Sequence, residues 1–180
     1  MRIFYDTEFI DDGRTIDLIS IGMVAGDGRE LYAVSREFDQ VALGRSGWLV
    51  DNVWSSLPVI GKGSGELGIG RLDLDHPDVH PRTEIARMVA DFILRTPDPQ
   101  LWAYYAAYDH VALAQLWGPM SDLPYGIPMQ TDDIVTEAKR LGLTPRDLPV
   151  QPDGLHNALA DARHNLVRAQ FLDQLATKGK

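Results

Sequence analysis

Met1–Ile10, with the sequence MRIFYDTEFI, is the stretch on which the predicted architecture depends. Arg2–Tyr5 is β-branched and aromatic enough to predict a short strand buried in a sheet. The strand is predicted to end in Asp6-Thr7-Glu8, and residues two apart on a strand face the same way. Two converging carboxylates resist burial, because each raises the pKa of the other. A hard divalent cation would remove that penalty. A polar strand end in solvent is the alternative, so the rest of the chain has to decide.

The composition indicates a globular protein. The chain has 180 residues, of which 44% are hydrophobic, and we expect one domain spanning residues 1–180. No apolar run approaches the ~20 residues of a membrane span. Asp6 and Glu8 interrupt any signal-peptide pattern. We therefore expect a cytoplasmic protein with no membrane partner. Because the sequence contains no cysteine, disulfides, thiolate metal sites and cysteine nucleophiles are excluded.

The formal charge limits the partners of the protein. A net charge of -9 argues against tight, non-specific binding of duplex nucleic acid, which needs many Lys and Arg contacts to phosphates. A pocket that holds only the end of one strand remains compatible with this charge. Divalent cations bound in such a pocket would make it locally cationic.

The order of predicted elements indicates an α/β fold. Three strands joined by tight turns suggest an antiparallel meander, and alternating helices and strands follow, which fits a mixed sheet flanked by helices. The strands predicted after the first are Ile16–Val24, Glu30–Val34, Leu101–Tyr105 and Met129–Asp132. The predicted helices are Phe38–Leu57, Pro81–Leu94, one that follows Tyr108-Asp109 and contains Val111, Leu113, Leu116 and Trp117, Ile134–Leu141 and one from Asp153–His156 to about Leu175.

The segment from Leu57 to Pro81 interrupts this pattern with five glycines and three prolines. We expect a glycine-rich surface loop at about residues 58–80, with room for a short strand. Three of its glycines match G-x-G-x-x-G, but no helix pattern follows them, so a dinucleotide site is not indicated. Those glycines are Gly63, Gly65 and Gly68. The acidic and histidine residues of the loop could hold a metal, but we favour a solvated loop for Asp73, Asp75, His76, Asp78 and His80.

Three separate places in the sequence combine into a candidate metal site. They are Asp6-x-Glu8 in the first strand, Asp109 after a later strand, and His156–Asp161 at the start of the last helix. Four carboxylates and a histidine can supply a site for two metal ions, which clamp the attacking and leaving oxygens of a phosphodiester. Asp6, on the most central predicted element, is the natural bridging ligand. Each residue alone would more often be a helix cap or a solvated side chain, so the joint pattern carries the prediction.

His156 has a different expected role from the carboxylates. It precedes Asp161 by five residues, about 500° around a helix, so the two do not share a helix face. From the helix entrance or the preceding loop, it can reach an attacking water. An imidazole has an unperturbed pKa near ~6.5, which suits a general base at neutral pH.

These motifs resemble the DEDD superfamily of exonucleases in its histidine subclass. The resemblance rests on Asp-x-Glu, on Tyr-Asp before a helix, and on His-x-Ala-Leu-x-Asp-Ala at His156–Ala162. Tyr108 stands where the superfamily commonly has phenylalanine, a change that keeps the ring. The runs FYDTEFI-DDGRTIDLISIG, LWAYYAAYDHVALAQLWGPM and LHNALADARHN are further similar to the RNase AS family of adenylate-preferring 3′–5′ exoribonucleases.

The resemblance has several implications. It implies a ribonuclease H-like fold of the RNase T and oligoribonuclease type, two Mg²⁺ ions with Mn²⁺ as an alternative, and a homodimer. It also implies His156 as the general base. The implied metal ligands are Asp6, Glu8, Asp109 and Asp161.

An exonuclease must recognise a free end, so we expect single-stranded RNA 3′ ends as the partner. The candidate substrate-binding residues are Thr7, Glu8 and Phe9. Glu8 could accept a hydrogen bond from the terminal 3′-hydroxyl, and Phe9 could stack on the last base unless it lies in the core. Other aromatic residues are expected in the core or a dimer interface, namely Trp102, Tyr104, Tyr105 and Trp117. His164 is expected to be structural.

The leading hypothesis is a metal-dependent 3′–5′ exoribonuclease that releases nucleoside 5′-monophosphates from single-stranded RNA tails. The alternatives are a DNA 3′–5′ exonuclease of the same fold, a non-catalytic RNA-binding protein, and an unrelated metallohydrolase of small phosphoesters.

Overall fold

A six-stranded mixed sheet forms the centre of the computed structural model, which describes residues 1–63 and 68–178. The strands are β1 (Arg2–Asp11), β2 (Ile16–Ala25), β3 (Glu30–Ser35), β4 (Val59–Ile60), β5 (Arg71–Leu72), β6 (Val79–His80), β7 (Gln100–Ala103) and β8 (Thr131–Asp133). The sheet order is β6-β3-β2-β1-β7-β8. β1, β2 and β3 are antiparallel, whereas β7, β8 and β6 join in parallel. The predicted meander and mixed sheet are therefore confirmed.

Six α-helices accompany the sheet in the described part of the chain. They are α1 (Gln40–Arg45), α2 (Gly47–Asn52), α3 (Arg82–Leu94), α4 (Ala107–Ala114), α5 (Ile134–Arg140) and α6 (Ala158–Lys178). Short 3₁₀ turns lie at Trp54–Ser56, Gln115–Trp117, Met120–Asp122 and Pro145–Asp147. Within residues 1–63 and 68–178, every helix is too short or too polar to cross a membrane.

β1 continues beyond the predicted end at Asp6-Thr7-Glu8 and reaches Asp11, so that boundary was wrong. The physical reason is that β2 pairs with β1 along nearly its whole length. On the other side, β7 pairs only with Arg2, Ile3 and Phe4. The second half of β1 is consequently open toward one edge, and this half carries the two acidic residues of the first motif.

Both faces of β1 are covered by helices. Ile3 and Tyr5 are buried on the face that packs against α3 and α4. Phe4 points to the opposite face, where it packs with buried residues of α5 and α6. This alternation follows from the two-residue period of a strand. It makes β1 a fixed reference for the helices that carry the remaining acidic motifs.

α6 approaches the sheet closely at Gly22 of β2. A Cβ atom placed on Gly22 would overlap the backbone of Ala158 and Leu159, the first residues of α6. Glycine at this position therefore lets the start of α6 lie directly against the strand. The contact sets where Asp161, in the first turn of α6, meets the sheet.

The single helix predicted over Phe38–Leu57 was wrong, because the structure has two short helices there. Asp39 caps α1 by accepting hydrogen bonds from two backbone N–H groups. Ser46 then takes an extended conformation, which ends α1, and its hydroxyl caps α2 by accepting from the N–H of Leu49. Side-chain caps of this kind start a new helix in place of continuing the old one.

The described parts of the glycine-rich segment contain three short strands. β4 and β5 form a two-stranded hairpin, β6 joins the main sheet beside β3, and Leu72 and Val79 are buried. The predicted loop at residues 58–80 is thus corrected to a hairpin and an added sheet strand. Gly65 of the glycine motif lies outside the described residues.

Other boundaries differ by a few residues. β7 ends at Ala103 and not at Tyr105, whose positive φ of 59° breaks the strand. β8 begins at Thr131, later than predicted, and α5 ends one residue early at Arg140. α4 begins before the acidic motif and not after it, and α6 begins after His156 and reaches Lys178.

Candidate active site

The open half of β1 contributes the first two carboxylates. Asp6 and Glu8 lie beyond the last residue that pairs with β7, and both line the same pocket. The pairing between β1 and β2 shifts by one residue between Glu8 and Phe9, which is the signature of a β-bulge. Glu8 is only 8% exposed, so its carboxylate is held inside the pocket.

Asp109 reaches the same pocket from the first turn of α4. Its Oδ1 accepts two hydrogen bonds from Thr7, one from the backbone N–H at 2.8 Å and one from Oγ1 at 2.6 Å. Asp109 is therefore not the cap of α4 but a buried acceptor attached to the middle of β1. Thr7, predicted to bind substrate, is 5% exposed and donates its hydroxyl to Asp109.

Asp161 and His156 are joined at the start of α6. The backbone N–H of His156 donates to Asp161 Oδ2 at 2.9 Å. His156 lies on the loop before the helix, with a positive φ of 62° that residues with a Cβ rarely adopt. On the other side, Ser56 Oγ lies 2.9 Å from the His156 carbonyl oxygen, and the ring of Trp48 meets the imidazole edge-on at 4.8 Å.

Ligand atoms of Glu8, His156 and Asp161 all lie within 4.8 Å of one another. Within the described residues, this is the one group of three or more His and acidic side chains with metal-binding spacing. The imidazole therefore lies beside two of the four predicted carboxylate ligands. The predicted alternative in the loop at residues 73–80 does not form such a group.

Burial raises the pKa of every carboxyl group in the pocket. For Asp6, burial is the largest cause of the raised pKa, and the charges of the other three carboxylates add to it. The pKa of Glu8 rises to about 8, mainly through burial. The pKa of Asp109 rises to about 6, because burial outweighs the hydrogen bonds from Thr7. Burial also raises the pKa of Asp161. The four carboxyl groups resist being ionised at the same time. Their oxygen atoms form a ligand set that fits hard divalent cations.

Aromatic side chains surround the four carboxyl groups of the pocket. The pocket has a volume of about 470 Å³. Phe9 and Tyr108 stack on one side with ring centroids 5.9 Å apart. Trp48, Tyr105 and Tyr108 line the pocket and are more than half exposed. Exposed aromatic rings beside these carboxyl groups offer stacking surfaces for unpaired bases.

The structure brings together the five residues of the predicted site, which all line this pocket: Asp6, Glu8, Asp109, His156 and Asp161. Tyr105 is exposed and lines the pocket, so it does not lie in the core, whereas Tyr104 lines the pocket and also packs beside a core cluster, in line with the expected core position. Trp102 and Trp117 pack beside core clusters, and His164 is buried with Nε2 2.8 Å from the Pro149 carbonyl oxygen, as expected of a structural residue.

Sequence reasoning missed several residues of this pocket and its surroundings, and three of them are polar residues with a role in the arrangement of the site. Arg168 lies seven residues after Asp161 on α6, a spacing that returns to the same helix face and could have been found. Gln151 is buried in the pocket wall, where its amide opposes the raised pKa of Asp161. Ser56 is 100 residues from its partner in the sequence, and no local pattern indicates their contact.

The chain is similar to characterised nucleases over its whole length. Two curated relatives, from the CDC 1551 / Oshkosh and H37Rv strains of Mycobacterium tuberculosis, are both named 3′–5′ exoribonuclease. Each is 42% identical over 184 residues, which covers 100% of this chain and 98% of the relative. No family model matches the chain.

Solved structures show the same fold. The zinc-bound form of an E. coli ExoI–ssDNA complex matches 96% of this chain with a TM-score of 0.58 and 13% identity. E. coli Exonuclease I with a 5cy-dA13 oligonucleotide matches 98% with a TM-score of 0.54 and 11% identity. This chain spans 40% and 42% of those two chains, respectively. The shared architecture is the ribonuclease H-like fold that the motifs imply. With 42% identity to both curated relatives over its full length, the chain belongs to the family of these 3′–5′ exoribonucleases.

Proposed function

We propose that this exoribonuclease removes nucleoside 5′-monophosphates from the 3′ ends of single-stranded RNA, with a preference for adenylate tails. The convergence of four carboxylates and one imidazole in a single pocket is the observation that carries the proposal. The adenylate preference is supported by the resemblance to the RNase AS family. We further propose that residues 1–180 act as one exonuclease domain in the cytoplasm.

We propose that Asp6, Glu8, Asp109 and Asp161 hold two Mg²⁺ ions, with Mn²⁺ able to replace them. Bound divalent cations would polarise the scissile phosphodiester and stabilise the charge that develops on its oxygens. The raised pKa values support this role, because a cation would favour the ionised carboxylates that burial opposes.

The imidazole of His156 would accept a proton from the attacking water and thereby act as the general base. Its backbone is held on both sides, by the carboxylate of Asp161 and by the hydroxyl of Ser56, so the ring is presented to the pocket in a defined position. Glu8 would accept a hydrogen bond from the terminal 3′-hydroxyl, and Phe9 would stack on the last base from its place beside Tyr108.

Thr7 would act through Asp109. The backbone N–H and the hydroxyl of Thr7 both donate to the carboxylate of Asp109. Thr7 would therefore contribute to substrate binding by positioning that carboxylate.

The assignment is tested by digesting four homopolymer RNAs and matched oligo(dA) in Mg²⁺ and in EDTA, with product sizing. We expect oligoadenylate RNA to be shortened fastest, AMP to be released one residue at a time, and EDTA to stop the reaction. Equal rates on all four RNAs would exclude the adenylate preference, and equal rates on oligo(dA) would favour a DNA exonuclease.

The residue roles are tested with Asp6→Asn and His156→Ala. Asp51→Asn is a matched control, since Asp51 is exposed and does not line the pocket. We expect both site variants to lose at least about a hundredfold in kcat, a magnitude typical of general acid–base catalysis, while the control retains its activity. Near wild-type activity in both site variants would overturn the assignment. Equilibrium dialysis with Mn²⁺ should give two ions per chain, and one ion would exclude the two-metal site.

We also propose a homodimer that uses an apolar surface next to α4. Val111, Met120 and Met129 are exposed there and line a cavity of about 220 Å³. Exposed apolar patches of this kind are typical of interaction surfaces. Light scattering should give twice the chain mass of 20.0 kDa, and Met120→Glu should reduce it toward the monomer. A monomer mass for the wild type would exclude the dimer.

A further inference from the structure

Arg168 is the one lysine or arginine among the residues that line the active-site pocket. It lies on α6, two turns after Asp161 and on the same helix face. A cation at this place is unexpected in a pocket built to gather positive ions on its carboxylates. Its surroundings indicate why an arginine is present.

The guanidinium of Arg168 is held in place by two contacts. It stacks over the ring of Tyr104, with Cζ 4.0 Å from the ring centroid. Its Nη1 donates to Asn165 Oδ1 at 3.0 Å. Asn165 is itself fully buried and donates from Nδ2 to the Tyr5 carbonyl oxygen at 3.1 Å. The head group is therefore anchored to β1 through one intermediate side chain, and little conformational freedom remains to be lost on binding.

The remaining donors of Arg168 have no protein acceptor. Within residues 1–63 and 68–178, no hydrogen bond uses its Nε or Nη2, and no ion pair within 4.0 Å includes it. Asp6 and Asp161 are close enough to interact with it electrostatically but do not pair with it directly. The side chain is half-buried and lines the pocket, and its free donors are accessible to solvent, since they are not among the buried polar atoms that lack partners.

A fixed guanidinium whose Nε and Nη2 nitrogens are free to donate is a site for phosphate. Its planar fork matches two phosphate oxygens, and it stays charged at any working pH. The carboxylates of the pocket would repel an RNA backbone wherever bound cations do not neutralise their charge. Other pocket-lining side chains are acidic, aromatic, apolar or neutral, apart from the imidazole of the proposed base.

We propose that Arg168, stacked on Tyr104, binds a phosphate of the RNA strand through its Nε and Nη2 donors. This inference rests on the proposed function, because it requires the pocket to receive the 3′ end of an RNA. Arg168 is then a substrate-binding residue outside the set of metal ligands and separate from the general base.

The test uses Arg168→Gln, which removes the charge, and Arg168→Lys, which keeps the charge but not the fork. Arg163→Gln is the matched control, because Arg163 lies on the same helix, is exposed and pairs with Glu30 away from the pocket. Binding of labelled oligoadenylate in Mg²⁺ is measured by fluorescence anisotropy, with each variant placed in a His156→Ala background so that RNA is not consumed. Steady-state kinetics and melting temperatures are measured on the single variants.

We expect Arg168→Gln to weaken binding and raise KM by about tenfold to a hundredfold, with Arg168→Lys between it and the wild type. The slope of log affinity against log salt should fall by about 0.7, the value for one phosphate contact in a single strand. Arg168→Lys should keep the wild-type slope, and Arg163→Gln should change neither affinity nor slope.

Unchanged affinity and slope in Arg168→Gln would overturn the inference. So would weaker binding with an unchanged slope and a lowered melting temperature, which would indicate a purely structural role. Failure of the proposed function is distinguishable, because it would appear in the wild-type protein as an RNA 3′ end that is not shortened. If AMP alone binds less tightly to Arg168→Gln while oligoadenylate binds as before, the phosphate recognised belongs to the product and the inference is wrong.

Discussion

Ser56 Oγ donates a hydrogen bond to the carbonyl oxygen of His156 at 2.9 Å, across 100 residues of sequence. His156 has a left-handed backbone conformation, which costs a non-glycine residue on the order of 1–2 kcal/mol. Contacts on both of its peptide groups offset that cost, since Asp161 accepts its N–H and Ser56 binds its C=O. The proposed general base is thus positioned by its backbone.

Ser56→Ala should therefore lower kcat with little effect on KM. We expect a loss of about fivefold to tenfold, the equivalent of one hydrogen bond of about 1 kcal/mol. Ser56→Thr should restore most of the loss. The control is Ser55→Ala, since Ser55 is exposed. The same hydroxyl lies 2.8 Å from the Val53 carbonyl oxygen, so melting temperatures must be measured in parallel. A kcat equal to that of the Ser55 variant would contradict the positioning role.

Thr7→Val should measure the effect of the Thr7 hydroxyl on activity while the shape of the side chain is kept. The substitution keeps the volume but removes the 2.6 Å hydrogen bond to Asp109 Oδ1, leaving only the backbone donor. Hydrogen bonds to charged groups are worth about 1.5–3 kcal/mol, so we expect activity to fall by about tenfold to a hundredfold. The concentration of Mg²⁺ needed for half-maximal activity should rise. Thr7→Ser should retain more activity than Thr7→Val, and equal activity in the two would show that the hydroxyl is dispensable.

Gly22→Ala should destabilise the protein strongly. The added Cβ would overlap the backbone of Ala158 and Leu159, which cannot rotate away as a side chain could. We expect a loss of at least about 3 kcal/mol in the free energy of unfolding, at the upper end of overpacking effects. Gly47→Ala is the matched control, because nothing lies within 4 Å of its added Cβ and its φ is ordinary. Denaturant unfolding measures both variants, and equal stability would mean that α6 can move away from β2 without cost.

The stability of the metal-free protein should depend on pH. Folding raises the pKa of Glu8 to about 8 and that of Asp109 to about 6, above their ordinary values near 4. Groups with a raised pKa contribute stability that is full below the ordinary pKa and is lost as the pH rises through the folded value. In EDTA, the melting temperature should therefore fall between about pH 4 and pH 8.

Mg²⁺ should oppose that fall, because a bound cation favours the ionised carboxylates. Glu8→Gln provides the control, since it removes a carboxyl group whose pKa rises to about 8 and should flatten the profile in EDTA. A melting temperature that is constant from about pH 5 to pH 8.5 in EDTA would refute the raised pKa values.

The sequence was informative where chemistry and periodicity coincide. Asp6 and Glu8 share a strand face by spacing alone, and the helical stripe of Ile85, Val89 and Ile93 is buried as its period predicts. The full-length pairing of β1 with β2 could not be read in the same way, because strand ends depend on the partner that is available. The predicted strand therefore ended with Asp6-Thr7-Glu8, short of its observed end at Asp11.

Local capping and long-range contacts account for the other failures. The break at Ser46 depends on a hydroxyl that caps the next helix, which competes with a hydrophobic spacing that favours continuity. The contact between Ser56 and His156 has no local signal, because the segments are brought together only by the sheet. Arg168 follows from the helical repeat after Asp161, but its anchoring to Tyr5 through Asn165 required the fold.

Because β7 ends early, Asp109 has a structural role in addition to its proposed role as a metal ligand. Past the last residue that pairs with β7, the N–H of Thr7 lacks a neighbouring strand on that side and donates to the Asp109 carboxylate in its place. Alanine at position 109 would therefore leave the buried N–H of Thr7 without an acceptor, at a cost of about 1–3 kcal/mol. A loss of activity in such a variant could not be told apart from a loss of folding. Asparagine keeps the acceptor oxygen, which makes it the cleaner choice for an inert form of the enzyme.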